Sequence, residues 1–535
     1  MVSFNTLPAD ITLQIVPYLN LRDLVALSMV TKSLRKLSDE HAFWYAPLCN
    51  TRLTQPIPGP STTNLADISA LSLKNLALHF LRLNRNWSQP YPRITGTPTA
   101  LHVGSHTTIL FCLPGTSTMV LYSLEDRTVR CVDAQLGNMS EPLAVGRVAD
   151  VGALLEQEGG VRVPLVINNE GGPTVIVLHA ATTPQPTVSL AWRRDLNNEG
   201  RILGGVFMTA SIVGVPWVHT GGSIEVHAFN LKDPELETVI VTDQPYNDSF
   251  SMRVDALVVG DTVYLVILHP STAFVYACPP RLLPHPTSDG PGAIDYTVQR
   301  SHVARIPQSG SQGPTTRING GFLSTSPTWS GARAVSVVYA YADAGPPHHK
   351  VEVTFWARPN PSADSAVERE RATARALHPT HTLAVPGTVH MRTGQFRNQI
   401  IAAAESGRAA VVCVDPCPPP PAPEVEGEEE LEASDTQEVN RETPSEGHVP
   451  KLMLVRYDAD AANGAEAGTI HELQIPKGMC GLRVGKGEGA EAESELVEFD
   501  ARKICAVELD DRAGRLFVGM GAEAEDGVLF CFEYA

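Results

Sequence analysis

Residues 504–534 read Ile504-Cys-Ala-Val-Glu-Leu509, a turn at Asp510–Gly514, Leu516-Phe-Val-Gly-Met520, a loop, and Val528-Leu-Phe-Cys-Phe-Glu-Tyr534. Three short apolar runs, separated by segments rich in Gly and Asp, are the pattern of consecutive antiparallel strands. The same order of strand, glycine turn, strand, loop and third strand recurs at approximately 204–231 and 252–278. Weaker relatives begin near 99, 148, 320 and 393. Units of roughly 40–60 residues made of short antiparallel strands predict a β-propeller. Six to eight blades fit the length, and seven is preferred. No Trp-Asp dipeptide occurs, and the double glycines are too irregular for kelch repeats, so the propeller is a divergent one. A two-sheet sandwich or a pair of β-domains is the alternative architecture.

The strand signal extends back to about residue 93. Ser223–Ala228 and Lys350–Phe355 alternate polar and apolar side chains. Gly260-Asp261 separates Val258-Val259 from Thr262–Ile267 as a tight hairpin turn would, and double glycines bracket Val161–Ile167. Helical periodicity is confined to Ala363–Leu377 in this region. Residues 416–450 interrupt the pattern with Pro418–Pro421 and an acidic stretch. Ten acidic residues and one basic residue fall between Glu424 and Glu446, about half of the net charge of -18. A segment so poor in apolar residues cannot offset its chain entropy and is expected to be disordered, as a loop insertion in a late blade.

At 535 residues with 43% hydrophobic side chains, the chain can bury a large core. The negative charge argues against a general nucleic-acid binder, because phosphate contacts need clustered cations. Nine cysteines at unpaired spacings fit reduced thiols. The N-terminus shows no basic segment followed by an apolar one, and the longest apolar runs, such as Val263–Leu268, are far below the roughly 18 residues of a spanning helix. The expectation is an intracellular protein, cytoplasmic or nuclear, without membrane contact, in which the sequons at Asn86, Asn138 and Asn247 are chance matches.

Residues 4–50 carry a different period and read as three short helices. Pro8 suits a first helical position, and Ile11, Ile15, Tyr18 and Leu19 follow at spacings of three and four. Asn20 and Asp23 form a capping-box-like pair. A second helix then carries Leu24, Leu27, Val30, Leu34 and Leu37, and Ser38 or Asp39 caps a third through Phe43 and Trp44. Pro17 is expected to shorten or bend the last turn of the first helix. A bundle this short is hard to stabilise alone, and its apolar stripes are too broad for one small core, which points to a docking module.

Leu7-Pro8, Ile11, Ile15, Tyr18-Leu19, Asp23-Leu24, Leu27, Val30, Lys32, Leu34-Arg35, Leu37 and Trp44 resemble the F-box pattern almost position by position. The resemblance covers about 45 residues, under a tenth of the chain. It implies docking to the Skp-type adaptor of a Skp–cullin–F-box ubiquitin ligase. The contacting set carried across is Leu7, Pro8, Ile11, Ile15, Leu19, Leu24, Leu27, Val30 and Leu34, some of which must instead hold the helices together. Tyr18, Leu37 and Trp44 are expected in the F-box core.

Residues 51–63 read as a linker, and Asn64 caps a helix through Leu65, Ile68, Leu71, Leu76, Phe80, Leu83 and Trp87. Its flank of Lys74, Arg82 and Arg85 has too few cations for a membrane or nucleic-acid surface, so the helix is a packed connector. The order Asn86-Trp87 followed by Pro90 resembles a large class of fungal F-box proteins. The expected organisation is an F-box at 1–50, a linker and connector helix at 51–92, and a large all-β domain at 93–535.

No site chemistry emerges. Gly485–Gly489 lacks the glycine and hydroxyl of a phosphate loop, since Cys480 and Gly487 occupy those positions. His378 with His381, and Cys413 with Cys417, lack a second pair at zinc spacing. No Gly-x-Ser-x-Gly elbow occurs. No catalytic residue, metal or cofactor is expected. The functional expectation is a non-catalytic subunit that docks a cullin ligase through its adaptor and recruits an unknown protein target through the β domain. The alternative is a scaffold that binds the adaptor without directing ubiquitination. An enzyme housed in the β domain is disfavoured.

Overall fold

The computed structural model describes residues 7–534, apart from stretches of one to five residues and the longer ones 243–252, 279–293, 306–316, 322–333, 358–378, 391–400, 414–450, 458–467 and 484–493. Ala363–Leu377, Gly485–Gly489 and the acidic insertion lie outside the described residues.

Helix α1 spans Ala9–Ile15 and follows Pro8, whose extended ψ of 149° makes it the cap rather than the first helical residue. Pro17 lies in a 3-10 turn, Val16–Tyr18, so the α-helix ends at Ile15. Helix α2, Leu21–Val30, is capped by Asn20, whose side chain accepts from the Asp23 amide at 2.8 Å. The second helix expected to run on to Leu37 is two helices. Thr31 is fully extended (φ -141°, ψ 161°) and its hydroxyl accepts from the Leu34 amide, which stops α2 and starts α3, Lys32–Leu37. Ser38 closes α3 and accepts, through its carbonyl, from Trp44 Nε1 at 2.6 Å. Helix α4 runs from His41 to Arg52, two residues beyond the expected F-box limit. The N-terminal module therefore has four α-helices rather than three.

Helix α5, Ala70–Trp87, is capped by Ser69; Asn64 caps a separate 3-10 turn, Leu65–Asp67. Its buried positions Leu73, Ala77, Phe80, Leu83 and Trp87 fall at spacings of three and four, along one stripe. The first half of that stripe packs with Val16, Leu24, Phe43, Trp44 and Leu48 in the F-box core. Ile57 of the expected linker and Leu65 of the 3-10 turn are buried in the same core. The second half, Leu83 and Trp87, packs instead with Phe530, Phe532 and Tyr534 at the C-terminal end of the chain. One helix thus belongs to two cores.

The remainder is a β-propeller, of seven successive sheets among the described residues. Blade 1 comprises Thr107–Cys112, Thr118–Ser123, Thr128–Asp133 and Leu143–Ala144. Blade 2 is built on Arg147–Val151, Gly160–Asn169, Gly172–Ala181 and Thr187–Asp195, with Leu155–Gln157 added to its second strand. Blade 3 runs from Ile202–Leu203 to Glu237–Thr242, whose outer edge takes Ile294–Val298 in parallel. Blades 4, 5 and 6 open with Arg253–Val259, Arg317–Gly321 and Ile401–Ala403. Blade 7 opens with Ile504–Asp510, continues through Arg515–Met520 and Val528–Glu533, and is extended by Met479–Arg483 and Ser494–Glu498. The expected repeat starts at 148, 204, 252, 320 and 504 each lie within three residues of an observed blade start, and that at 393 lies eight before it.

The start near 99 is reassigned. Thr99–His102 does not open blade 1 but pairs antiparallel with Val528–Glu533, Leu101 opposite Leu529, and parallel with Met479–Arg483. The two ends of the domain therefore close one sheet. The first strand of blade 7, Ile504–Asp510, packs between those of blades 1 and 6, Thr107–Cys112 and Ile401–Ala403. Among the described residues no helix is long and apolar enough to cross a membrane.

Candidate functional site: the F-box surface and its seat on the propeller

Strands within a blade alternate in direction, so turns from first to second strand open on one face of the ring and turns from second to third strand on the other. The F-box module sits on the first of these faces. Gly115, in the first turn of blade 1, has φ +75°, and a Cβ there would meet the backbone of Gly59 at 2.3 Å. Only glycine allows the linker to lie so close. Arg52, at the end of α4, donates to the carbonyls of Pro60 and Thr63, tying that linker down. At the other end of α5, Asn86 donates to the carbonyls of Arg93 and Tyr534 and accepts from the Arg93 amide. Trp87 stacks on Tyr534 with ring centroids 4.8 Å apart, and Arg456 of blade 6 donates to Ser88. Lys74, from the connector's basic flank, faces Asp39 of the F-box at 3.9 Å.

The first turn of blade 7, Asp510–Gly514, meets this seat. Asp510 accepts from the amides of Gly115, Arg512 and Ala513. Burial pushes its carboxyl up to about 7, with Asp511 adding to the shift. Two residues earlier Glu508 lies 3.8 Å from Cys112 Sγ; burial drives Glu508 up to about 8 and holds the Cys112 thiol well above its ordinary range. Arg512 forms a buried two-pronged ion pair with Glu156 of blade 2, at 2.6 and 2.9 Å.

The opposite face carries the 124–127 turn of blade 1. On the same face, Cys413 and Lys451 stand opposite each other at the ends of the second and third strands of blade 6.

The expected adaptor contacts divide by exposure. Pro8 and Val30 are exposed, Val30 at 65%, and Ile11 is borderline at 37%. Leu7, Ile15, Leu19 and Leu27 are half-buried. Leu24, with no exposed surface, and Leu34 at 5% are interior residues of the bundle. Trp44 is fully buried and Leu37 packs against the core. Tyr18, expected inside, is 88% exposed; the 3-10 turn at Pro17 directs Val16 inward and Tyr18 outward. Met29, 73% exposed, was not singled out by periodicity. The break at Thr31 explains this: the stripe through residues 24–37 assumes one continuous helix, and the true α2 buries Leu21, Leu24 and Ser28 instead. A groove of about 380 Å³ between the start of α1 and α3 is lined by Leu7, Thr12, Leu34 and Leu37, with Lys36 and Glu40 beside them.

Residues 4–50 match the F-box-like family model, under a tenth of the chain. F-box domains bind Skp-type adaptors. A comparison with curated protein sequences gives no match. Among solved structures, the chain is similar to the β-propeller domain of Cps50 (Swd1) from Myceliophteria thermophila, at 11% identity and TM-score 0.39 over 82% of this chain and 98% of that one. It is also similar to the Nup133 β-propeller domain of Vanderwaltozyma polyspora (5%, TM-score 0.38, 82% and 100%) and to BamB from Moraxella catarrhalis (10%, 0.33, 82% and 99%). These likenesses are distant, and the seven blades stand on strand pairing alone.

Proposed function

We propose that this protein is a non-catalytic, target-recruiting subunit of a Skp–cullin–F-box ubiquitin ligase, acting in the cytoplasm or nucleus. One observation carries the reading: an F-box-like module with large apolar side chains on its surface is seated on one face of a propeller. The face bearing the 124–127 turn, away from that seat, is available to a protein target. Leu7, Pro8, Ile11, Tyr18, Met29 and Val30 are the adaptor contacts, with Ile15, Leu19 and Leu27 contributing their exposed edges; Leu24 and Leu34 hold the bundle that presents them. Transfer is then performed by a recruited conjugating enzyme, and this chain contributes proximity and orientation.

The test joins two measurements. Calorimetry with a Skp-type adaptor should detect binding that Met29→Ala with Val30→Ala weakens at least tenfold, since buried interface anchors commonly contribute about 1–2 kcal/mol or more each. Polyubiquitinated clients captured on the chain should accumulate when the proteasome is blocked and disappear when the cullin is inhibited. No adaptor binding would overturn the proposal; binding without cullin-dependent clients would replace it with the scaffold reading.

A further inference from the structure

We propose that the outer strand of blade 2, Thr187–Asp195, takes an extended segment of a protein partner as an added strand. This strand is nine residues long and stands last in its sheet, paired with Gly172–Ala181 on one side only. Among the described residues, no backbone group of Val188–Asp195 is bonded outside that ladder. The Leu196 amide donates inward to Pro173. Antiparallel residues turn to their neighbour alternately, so the N–H and C=O of Arg193 and Asp195 point away from the sheet. A row of bare amides and carbonyls at strand spacing is complementary to another strand in register.

The neighbouring blades give the reason the edge is open and the kind of segment that fits it. The outer strand of blade 1 is only Leu143–Ala144, too short to shield a strand of this length. The equivalent edge of blade 3 is already filled: Ile294–Val298 pairs along it from Thr238 to Thr242. The rim of this ring therefore accepts an added strand, there supplied by the chain itself and rich in β-branched and aromatic residues. Blade 2 presents the same backbone chemistry unfilled. Its bulge at Ala191 sets Leu190 and Arg193 on one side of the sheet, opposite Leu178 and Ile176. Leu190 is 47% exposed there and gives an apolar contact for a side chain of the incoming strand. The Asp195 end is held in place, its carboxylate accepting from Thr174 at 2.8 Å and from Arg193 at 3.0 Å. That end adjoins the face assigned to the target, because the turn from Asn169 to Gly172 joins the second and third strands of the blade. That the partner is a recruited target rests on the function proposed above; the open edge does not.

The probe is a displayed library of random dodecapeptides, panned on the full chain without adaptor. Selected peptides should be rich in Val, Ile, Thr and Tyr, and should slow hydrogen exchange about tenfold or more at the amides of Arg193 and Asp195. Arg193→Pro removes an outward N–H without touching the ladder, and should weaken these peptides about tenfold or more. Arg193→Ala keeps that N–H and should bind within about threefold of the wild type. If Arg193→Pro melts early, Leu190→Lys, which puts a charge on the edge and leaves the backbone intact, must give the same loss. Selection of no peptide, protection confined to other strands or to the 124–127 turn, or full binding by both edge variants would overturn the site. Protection that appears without peptide and grows with protein concentration would assign the edge to a second copy of this chain and overturn it equally. None of these measurements involves adaptor or cullin, so failure here leaves the ligase reading standing, and failure there leaves the edge.

Discussion

Leu24 and Met29 lie five positions apart on α2 and have opposite fates, one fully buried and one 73% exposed. Leu24→Ala should destabilise the F-box module by about 2–5 kcal/mol, the usual cost of a cavity at a buried leucine. Met29→Ala should leave the melting curve almost unchanged, so differential scanning calorimetry of the two variants checks which residue is structural. Adaptor affinity lost with Leu24→Ala would then report unfolding rather than a lost contact. Glu508 and Asp510 make a second prediction at this scale. Their carboxyls, raised to about 8 and about 7, hold protons in the folded chain that the unfolded chain releases near its ordinary values of 4.5 and 3.8. Their contribution to stability is therefore complete below those ordinary values and is lost as pH rises towards about 7–8. Glu508→Gln cannot ionise, so its drop in melting temperature between about pH 5 and about pH 9 should be smaller than that of the wild type. An equal drop in both would mean that Glu508 does not titrate in this window.

Elements show how local chemistry overrides a periodic pattern. Leu24, Leu27, Val30, Leu34 and Leu37 keep helical spacing, yet Thr31 caps α3 and turns the two helices relative to each other. The β-branched Thr31 gains a capping bond by leaving the helix, which the count of apolar positions does not register. Helix α5 kept only the later part of its predicted stripe: Phe80, Leu83 and Trp87 are buried, but Leu65 and Ile68 precede the helix and Leu71 is 67% exposed. What spacing could not show is that Leu73 and Trp87 face different cores. Asn86, at the end of α5, holds the junction, and Asn86→Ala would strand the part-buried Arg93 amide and the buried Tyr534 carbonyl. A loss of about 2–3 kcal/mol is expected. Thermal unfolding should show it as a lower transition for the large domain, with Asn75→Ala, on the exposed face of the same helix, as the unaffected control.

At the scale of the whole molecule, the ring is closed by a strand that arrives from the F-box side. Thr99–His102 lies inside blade 7, between Val528–Glu533 and Met479–Arg483, and α5 leads into it. Ending the chain after residue 500 removes the first three strands of that blade and leaves Thr99–His102 without its antiparallel partner. The truncated domain should lose its cooperative thermal transition, because Phe517, Phe530 and Phe532 leave both blade cores that they fill. A soluble truncation that still melted cooperatively would mean that the ring does not depend on this closure.

The sequence alone determined the two kinds of structure and their order, since hydrophobic period is a local property: spacings of three and four before residue 93, short strands with glycine turns after it. It narrowed the number of blades to six to eight, because each blade repeats the same local plan, and it placed Trp44 in the F-box core. Tertiary structure decided the rest. Which of Leu24, Leu34 and Tyr18 faces inward depends on how short helices rotate against one another, and that depends on packing partners tens of residues away. The assignment of residues 99–102 to the last blade, the seating of the F-box on one face, and the pairing of Glu156 with Arg512 join segments hundreds of positions apart. Such contacts are fixed by ring closure and burial of charge, which leave no periodic trace along the chain.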